Sequence, residues 1–282
     1  MRWTVLATLG LLAAAAKEEA RPADLPLFVV ERSRVIWPTK CARPATPVPE
    51  DLKSQMRKEL GERGLLLGAG RMDEVALGAP ECMPGECGSG QFTVPLVSSQ
   101  TGRTGVLVPL GKVDPGALRP LKLVSVEGTD PHGLRPGLPP LAKPPPSCGE
   151  PPPEPSTGSP AAGRLVTCLT YFEPGGASGV QIQGRGELQG NGSPRYDVVR
   201  FRVLELPQPV PGRWNAQSRG TGSRLPVPVA LVSVTGHSDV RVLWLREEGV
   251  CCPSAASVWW SDVGDRTTEG PRRVGGLGQP CD

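Results

Sequence analysis

The chain reads as a mostly β protein: a C-terminal antiparallel sandwich or barrel, preceded by a small mixed α+β region with one helix at about residues 49–61. Two observations carry that expectation. Short apolar runs rich in Val and Leu recur through the chain, and turn residues separate them, with 36 glycines and 34 prolines among 282 residues. That punctuation is the signature of many short strands joined by turns. Only one segment shows helical spacing instead.

Residues 1–16 have the pattern of an export leader. Arg2 is followed by an apolar run from Val5 to Ala16 that closes in Ala14-Ala15-Ala16, and charge resumes at Lys17. That run is too short to cross a bilayer, which takes about 20 residues. No later stretch approaches that length without charges or prolines, so no transmembrane span is expected. The implied location is a periplasm, a cell surface or the medium.

After a charged tether, Leu27-Phe28-Val29-Val30 is a short buried-strand candidate, and Arg34-Val35-Ile36-Trp37 extends or follows it. Pro38, Pro44, Pro47 and Pro49 then break the chain. The helix follows, with Leu52, Met56 and Leu60 at steps of four on one face. Pro49 suits a first turn, Glu50 and Asp51 its positive end, and Arg57 and Lys58 its negative end. Gly61 or Gly64 stops it. A face of three apolar residues has to lie on something else.

Phe92 to Val97 and Gly105 to Leu110 flank a polar loop and read as a hairpin, each arm carrying a proline that belongs at an edge or bulge. Leu121 to Val126 alternates and would complete a small meander, so the mixed region is drawn from 17 to 128. Residues 129–163 are rich in proline and glycine, including Pro144-Pro145-Pro146 and Pro151-Pro152-Pro153, and read as a linker or strap. A bridge from Cys148 to a folded region would pin it.

The sandwich or barrel is drawn from 164 to 282. Leu165 to Leu169 leads through Glu173-Pro174-Gly175-Gly176 into Val180-Gln181-Ile182. Gly190-Asn191-Gly192-Ser193 turns into a strand from Tyr196 to Leu206, in which Val199, Phe201 and Val203 share one face and Arg200, Arg202 and Leu204 the other. The Asn191-Gly192-Ser193 triplet also matches a glycosylation acceptor, but the turn explains it fully. Residues 207–225 form a long loop. Val227 to Val234 and Val240 to Leu245 make a further hairpin.

Eight cysteines, at 41, 82, 87, 148, 168, 251, 252 and 281, form an even set, as expected of four bridges in an exported chain. Cys82 and Cys87 are close enough to pair with each other. Cys251 and Cys252 should reach different partners, and Cys281 should lock the tail. Their spacing does not suit zinc, so neither a metal nor any other cofactor is expected.

No catalytic residue stands out. His132 and His237, the only histidines, lie far apart in turns, without a nucleophile elbow. Gly105–Lys112 and Gly184–Gly190 miss the phosphate-loop and dinucleotide spacings. A net charge of +3, from 31 basic and 28 acidic residues spread along the chain, does not suit a nucleic-acid partner. Carboxylates of the second half (Glu173, Glu187, Asp197, Glu205, Asp239, Glu247, Asp262) have no spacing that selects a catalytic pair.

Binding is the more promising class. Trp259 and Trp260 are adjacent in a strand candidate, so their side chains should point to opposite faces, and Trp214 lies in the long loop. These three are the candidate binding residues. The expectation is an exported, disulfide-stabilised, non-enzymatic binding or envelope-associated structural protein. A glycan, a peptide and another envelope protein all stay open as partner. The alternative is a secreted, carboxylate-dependent, glycan-directed hydrolase.

Overall fold

A computed structural model describes residues 26–42, 46–84, 90–97, 102–138, 145–150, 164–176, 178–190, 192–205, 215–218, 225–233, 240–247, 256–263 and 272–276. Its first part comprises β1 (Phe28–Glu31), β2 (Arg34–Cys41), α1 (Glu50–Leu60), β3 (Arg63–Gly68), β4 (Arg71–Leu77), β5 (Glu81–Pro84), β6 (Gly90–Val97) and β7 (Gly105–Pro109). The strand order is β2-β1-β7-β3-β4-β6-β5, and β2 also pairs with β6. Six strands therefore close into an antiparallel barrel, with β5 alongside β6.

Closure overturns the expected hairpin of β6 with β7. A strand has two edges, and both are taken on each of these: β7 pairs with β1 and β3, and β6 with β2 on one side and β4 and β5 on the other. Pro95 lies where β6 changes partner from β5 to β4, so its missing donor interrupts no continuous ladder. Pro109 ends β7. Pro38 likewise fails to stop β2, which continues to Cys41 through an irregularity between Ile36 and Lys40. There the Gln91 amide donates to the carbonyls of Trp37 and Thr39.

The helix forms where its spacing predicts. Gly61 caps it in the left-handed region (φ 70°), and its N–H donates to Arg57 O at 2.9 Å. Its apolar face plugs the barrel: Met56 and Leu60 are buried with Phe28, Val30, Trp37, Leu66, Phe92, Val94 and Leu107.

The second part comprises β8 (Leu118–Pro120), β9 (Lys122–Gly128), β10 (Arg164–Phe172), β11 (Ser178–Leu188), β12 (Pro194–Glu205), β13 (Asn215–Ser218), β14 (Val227–Ser233), β15 (Val240–Glu247), β16 (Ala256–Val263) and β17 (Arg272–Gly276). They build two five-stranded antiparallel sheets, an inner one ordered β17-β16-β15-β14-β8 and an outer one ordered β13-β12-β11-β10-β9. The 121–126 run therefore does not complete a meander with the barrel strands. It lies in β9, which pairs with β10, and β8 just before it pairs with β14. The loop expected at 207–225 contains the short strand β13.

Three layers result. Leu231, Val242 and Trp244 of the inner sheet meet Leu169, Tyr171, Val180, Ile182 and Phe201 of the outer sheet in one core. Ala230, Val232 and Leu243, on its opposite face, meet Val29, Leu65, Leu67, Val106 and Val108 on the outside of the barrel in another. The described side chains of β14 and β15 are apolar on both faces, as strands buried on both sides must be. At the junction, the β3–β4 turn, with Ala69 (φ 49°) and Gly70 (φ 76°) at positive φ, places Gly70 against β9. A Cβ on Gly70 would stand 2.4 Å from Lys122 Cβ.

Both tyrosines of the chain, Tyr171 and Tyr196, lie in the sandwich core. Tyr196 donates to Thr167 Oγ1 at 3.2 Å, and Thr167 in turn donates to Thr129 O at 2.8 Å. Burial pushes both phenols above their ordinary value. In the unfolded chain they ionise near pH 10. Their contribution to stability is thus whole below that pH and declines above it, because the unfolded state holds fewer protons there. An alkaline titration is expected to show phenolate absorbance only as the fold is lost, in step with far-UV circular dichroism. Phenolate appearing well before unfolding would contradict this burial.

Candidate functional site

The end of the barrel beside the C-terminus of α1 is open. Met56, Arg57 and Leu60 of the helix, Glu62 and Arg63 after it, Ala76 and Leu77 of β4, the 78–80 connection and Val94 of β6 line a pocket of about 650 Å³. Backbone bonds fix this end: Leu77 N donates to Glu62 O at 2.9 Å, Gly78 N to Pro95 O at 2.8 Å, and Leu110 N to Arg63 O at 3.1 Å. Gly78 sits tight against β6, where an added Cβ would meet Pro95 Cγ at 2.9 Å.

One cross-strand row beside this end follows from the register. Val97 pairs with Ala76, Ala76 with Arg63, and Arg63 O receives Leu110 N, so these four positions form one row across β6, β4, β3 and the end of β7. Val97 is 64 % exposed and Leu110 41 %, and by alternation with Leu96 and Leu107 of the barrel core both stand on the outward face of the wall rather than in the pocket. Arg63 pairs with Glu74 at 2.6 Å, and Arg57 stands at the negative end of the helix. The site offers an apolar floor with charged groups at its lip. Its volume falls within the range of small-molecule sites, about 300–1,000 Å³.

A second polar assembly covers the outer sheet. Residues 145–150 lie across its outer face, held by a disulfide from Cys148 to Cys168 on β10 with a Cα–Cα distance of 6.4 Å. The chain so pinned is a strap. Gln181 donates to Pro146 O at 2.5 Å, Arg202 Nη2 to Ser147 O at 2.8 Å, and Arg200 to Glu150 O. Gln181 Oε1 accepts from Arg202 Nε at 2.8 Å, and Gln183 Oε1 accepts from Arg200 Nε and Nη2 at 3.0 and 2.7 Å. Burial lowers the affinity of both guanidiniums for their protons. Arg202 adds to this at Arg200 and Glu150 opposes it, while Glu127 opposes it at Arg202.

Of the residues marked from sequence, Trp214 lies outside the described residues. Trp259 and Trp260 lie in β16, where their backbones pair with Trp244 and Leu243 of β15, and their side chains are outside the described set. Cys82 bridges Cys41 rather than Cys87, because β5 and β2 flank β6 and bring the two sulfurs together. None of the described cysteines is free; Cys87, Cys251, Cys252 and Cys281 lie outside the described residues. His237 and Asp239 also lie outside them, as do the side chains of Glu205, Glu247 and Asp262.

Glu173, near Arg119 at 4.0 Å, follows the last residue of β10. Glu187 pairs with Arg164 at the first, and Asp197, 3.6 Å from Arg195, lies at that same end. Glu173 is thus about 30 Å from both by strand rise, far beyond the reach of a catalytic carboxylate pair. Among the described residues, no group of three or more His, Cys, Asp or Glu could hold a metal ion. No described helix is long and apolar enough to cross a membrane.

Neither assembly has a motif. The pocket draws on positions 56–63, 76–80 and 94, which only barrel closure brings together. The alternation in β12 does put Arg200 and Arg202 on one face, but nothing local says what covers them. Comparison with protein-family models, with curated proteins and with solved structures returned no match.

Proposed function

We propose that this is an exported, disulfide-stabilised binding protein rather than an enzyme, and that its ligand enters the barrel end beside α1. The observation that carries this reading is the pocket of about 650 Å³, with Met56, Leu60, Leu77 and Val94 as its apolar floor. Such a site suits an amphipathic small molecule, or an apolar anchor residue of a partner, whose polar end meets Arg57, Glu62 or Arg63. The leader-like residues 1–16 and the two bridges support export.

The test is fluorescence titration with an anilinonaphthalene sulfonate probe, whose apolar body and single charge match this lining. Saturable one-to-one binding is expected. Ala79 is exposed at the lip, so A79W should fill the entrance, weaken the probe at least tenfold and leave the melting temperature unchanged. Equal binding by A79W and wild type would remove the pocket assignment. Measured turnover of a polysaccharide or peptide library by the purified protein would remove the non-enzymatic reading.

A further inference from the structure

We infer that the chain cuts itself at the Asp130–Pro131 peptide bond in mild acid. The Asp130 carboxylate attacks its own carbonyl carbon while the His132 imidazolium protonates the departing Pro131 nitrogen. The chain holds two Asp–Pro bonds, Asp114–Pro115 and Asp130–Pro131, and only the second is followed by a histidine. Both sides of such a bond favour scission. The aspartate side chain closes a cyclic anhydride on its own carbonyl, an intramolecular attack that needs no second molecule. The proline nitrogen, a tertiary amide without N–H, leaves once it is protonated.

Residues 130–133 form a turn after β9 that gathers the groups this step needs. Gly133, at φ 62°, aims its N–H at the Asp130 carbonyl oxygen at 3.3 Å, the atom that gains negative charge as the carboxylate adds. The carboxylate is held ionised. Burial raises its proton affinity, but the N–H groups of Arg135 and Leu134, at 2.8 and 2.9 Å, outweigh that. The charges of Arg135 and His132 act in the same direction, so the group stays below the ordinary aspartate range. Tyr196 of β12 also faces it, a phenol kept neutral by burial first and by the Asp130 charge besides. His132 and Gly133 are exposed, which leaves the turn open to water.

Asp114 supplies the contrast. Its side chain accepts from Gly116 N–H at 2.9 Å and its carbonyl from Ala117 N–H at 2.9 Å. The residue after its proline is Gly116, which has no side-chain proton to give.

The step balances without a cofactor. A carboxylate oxygen bonds to the Asp130 carbonyl carbon, the bond from that carbon to Pro131 N breaks, and the imidazolium proton goes to the nitrogen. The products are a C-terminal aspartyl anhydride and a new N-terminus at Pro131. One water then opens the anhydride to two carboxyl groups, and the imidazole regains a proton from solvent. Carboxylate and imidazolium are needed together. Imidazoles charge below about pH 6.5 and aspartates are neutralised below about pH 3.9, lower still for Asp130. The rate should therefore rise as pH falls through the imidazole range and level off between about pH 4 and 6. Scission leaves one molecule of two chains, because β8 and β9, before the cut, pair with β14 and β10 after it.

The experiment holds purified full-length chain between about pH 3 and 8 and follows fragments by reducing electrophoresis and mass spectrometry. A fragment starting at Pro131 is expected at pH 5, formed at least tenfold faster than one starting at Pro115. That ratio cancels the lability any Asp–Pro bond has in acid. H132Q should slow the cut about a hundredfold, and D130N should abolish it. Should D130N fail to fold, P131A keeps the carboxylate and the imidazole but restores a secondary amide, and it too should be cut at least tenfold more slowly. Hydroxylamine added at pH 5.5 should trap the anhydride as a hydroxamate on Asp130. In urea at pH 5 the advantage over Asp114–Pro115 should vanish, because the turn that places Gly133 is lost. An intact wild-type chain at pH 5, equal scission at the two bonds, an unchanged rate in H132Q, or an advantage that survives urea would each overturn the inference.

Discussion

Replacing Leu243 with alanine is expected to cost about 3–4 kcal/mol and to weaken the barrel and the sandwich together. Leu243 is fully buried between the inner sheet and the barrel wall, among Val29, Leu67, Val106, Val108 and Val232. Truncation there loses the transfer energy of the removed carbons and leaves a cavity, and buried Leu→Ala changes cost about 2–5 kcal/mol. The upper part of that range applies because strands on both sides of the site are held in their own ladders and cannot collapse inward. Its neighbours in sequence, Val242 and Trp244, belong to the other core. A shift of β15 toward the gap would therefore disturb the sandwich packing as well. Hydrogen-exchange mass spectrometry under increasing urea is the measurement. Peptides from β3 and β7 and peptides from β10 to β12 should lose protection at one shared midpoint, lowered equally by the substitution. Two separate midpoints, with only the barrel's moved, would show that the three layers are not one cooperative unit.

The elements that could be read directly are those whose causes are local. Leu52, Met56 and Leu60 repeat at the helical period, and Gly61 alone accounts for the stop. The pairs β10–β11, β11–β12 and β14–β15 join strands adjacent in sequence, through turns whose glycines and prolines announce them. The barrel was not legible in the same way. Its closure depends on β1 with β7, β3 with β7 and β2 with β6, pairings that join distant segments and leave no turn signal. Composition alone favours the nearest partner, hence the hairpin expected of β6 and β7. One trace of the layering was present: Val229 to Val232 and Val242 to Leu245 are apolar at successive positions rather than alternate ones. Such runs belong to strands covered on both faces, and the barrel wall supplies the second cover. The pocket has no comparable trace, because none of its lining segments is unusual by itself.

The two described bridges are expected to differ in worth, and in a fixed order. Cys41–Cys82 spans a sequence separation of 41 and Cys148–Cys168 one of 20. Loop-closure entropy in the unfolded chain then assigns about 4 kcal/mol to the first and about 3 kcal/mol to the second. Native packing widens the gap. The first bridge straddles β6 at Gly90, where an added Cβ would stand 2.5 Å from Cys41 Sγ and 2.9 Å from Cys82 Sγ, so its sulfurs fill space that alanines would leave empty. The second ties down a strap that Gln181, Arg200 and Arg202 still hold by hydrogen bonds when the sulfurs are gone. Urea denaturation of C41A/C82A and C148A/C168A should therefore show the larger loss in the barrel variant. It should also show an unchanged denaturant slope in the strap variant, since little new surface is exposed while the strap stays seated. A larger loss in C148A/C168A would mean that the strap organises the outer sheet rather than resting on it. The burial of Gln181 and Thr170 beneath it would then be a condition of folding.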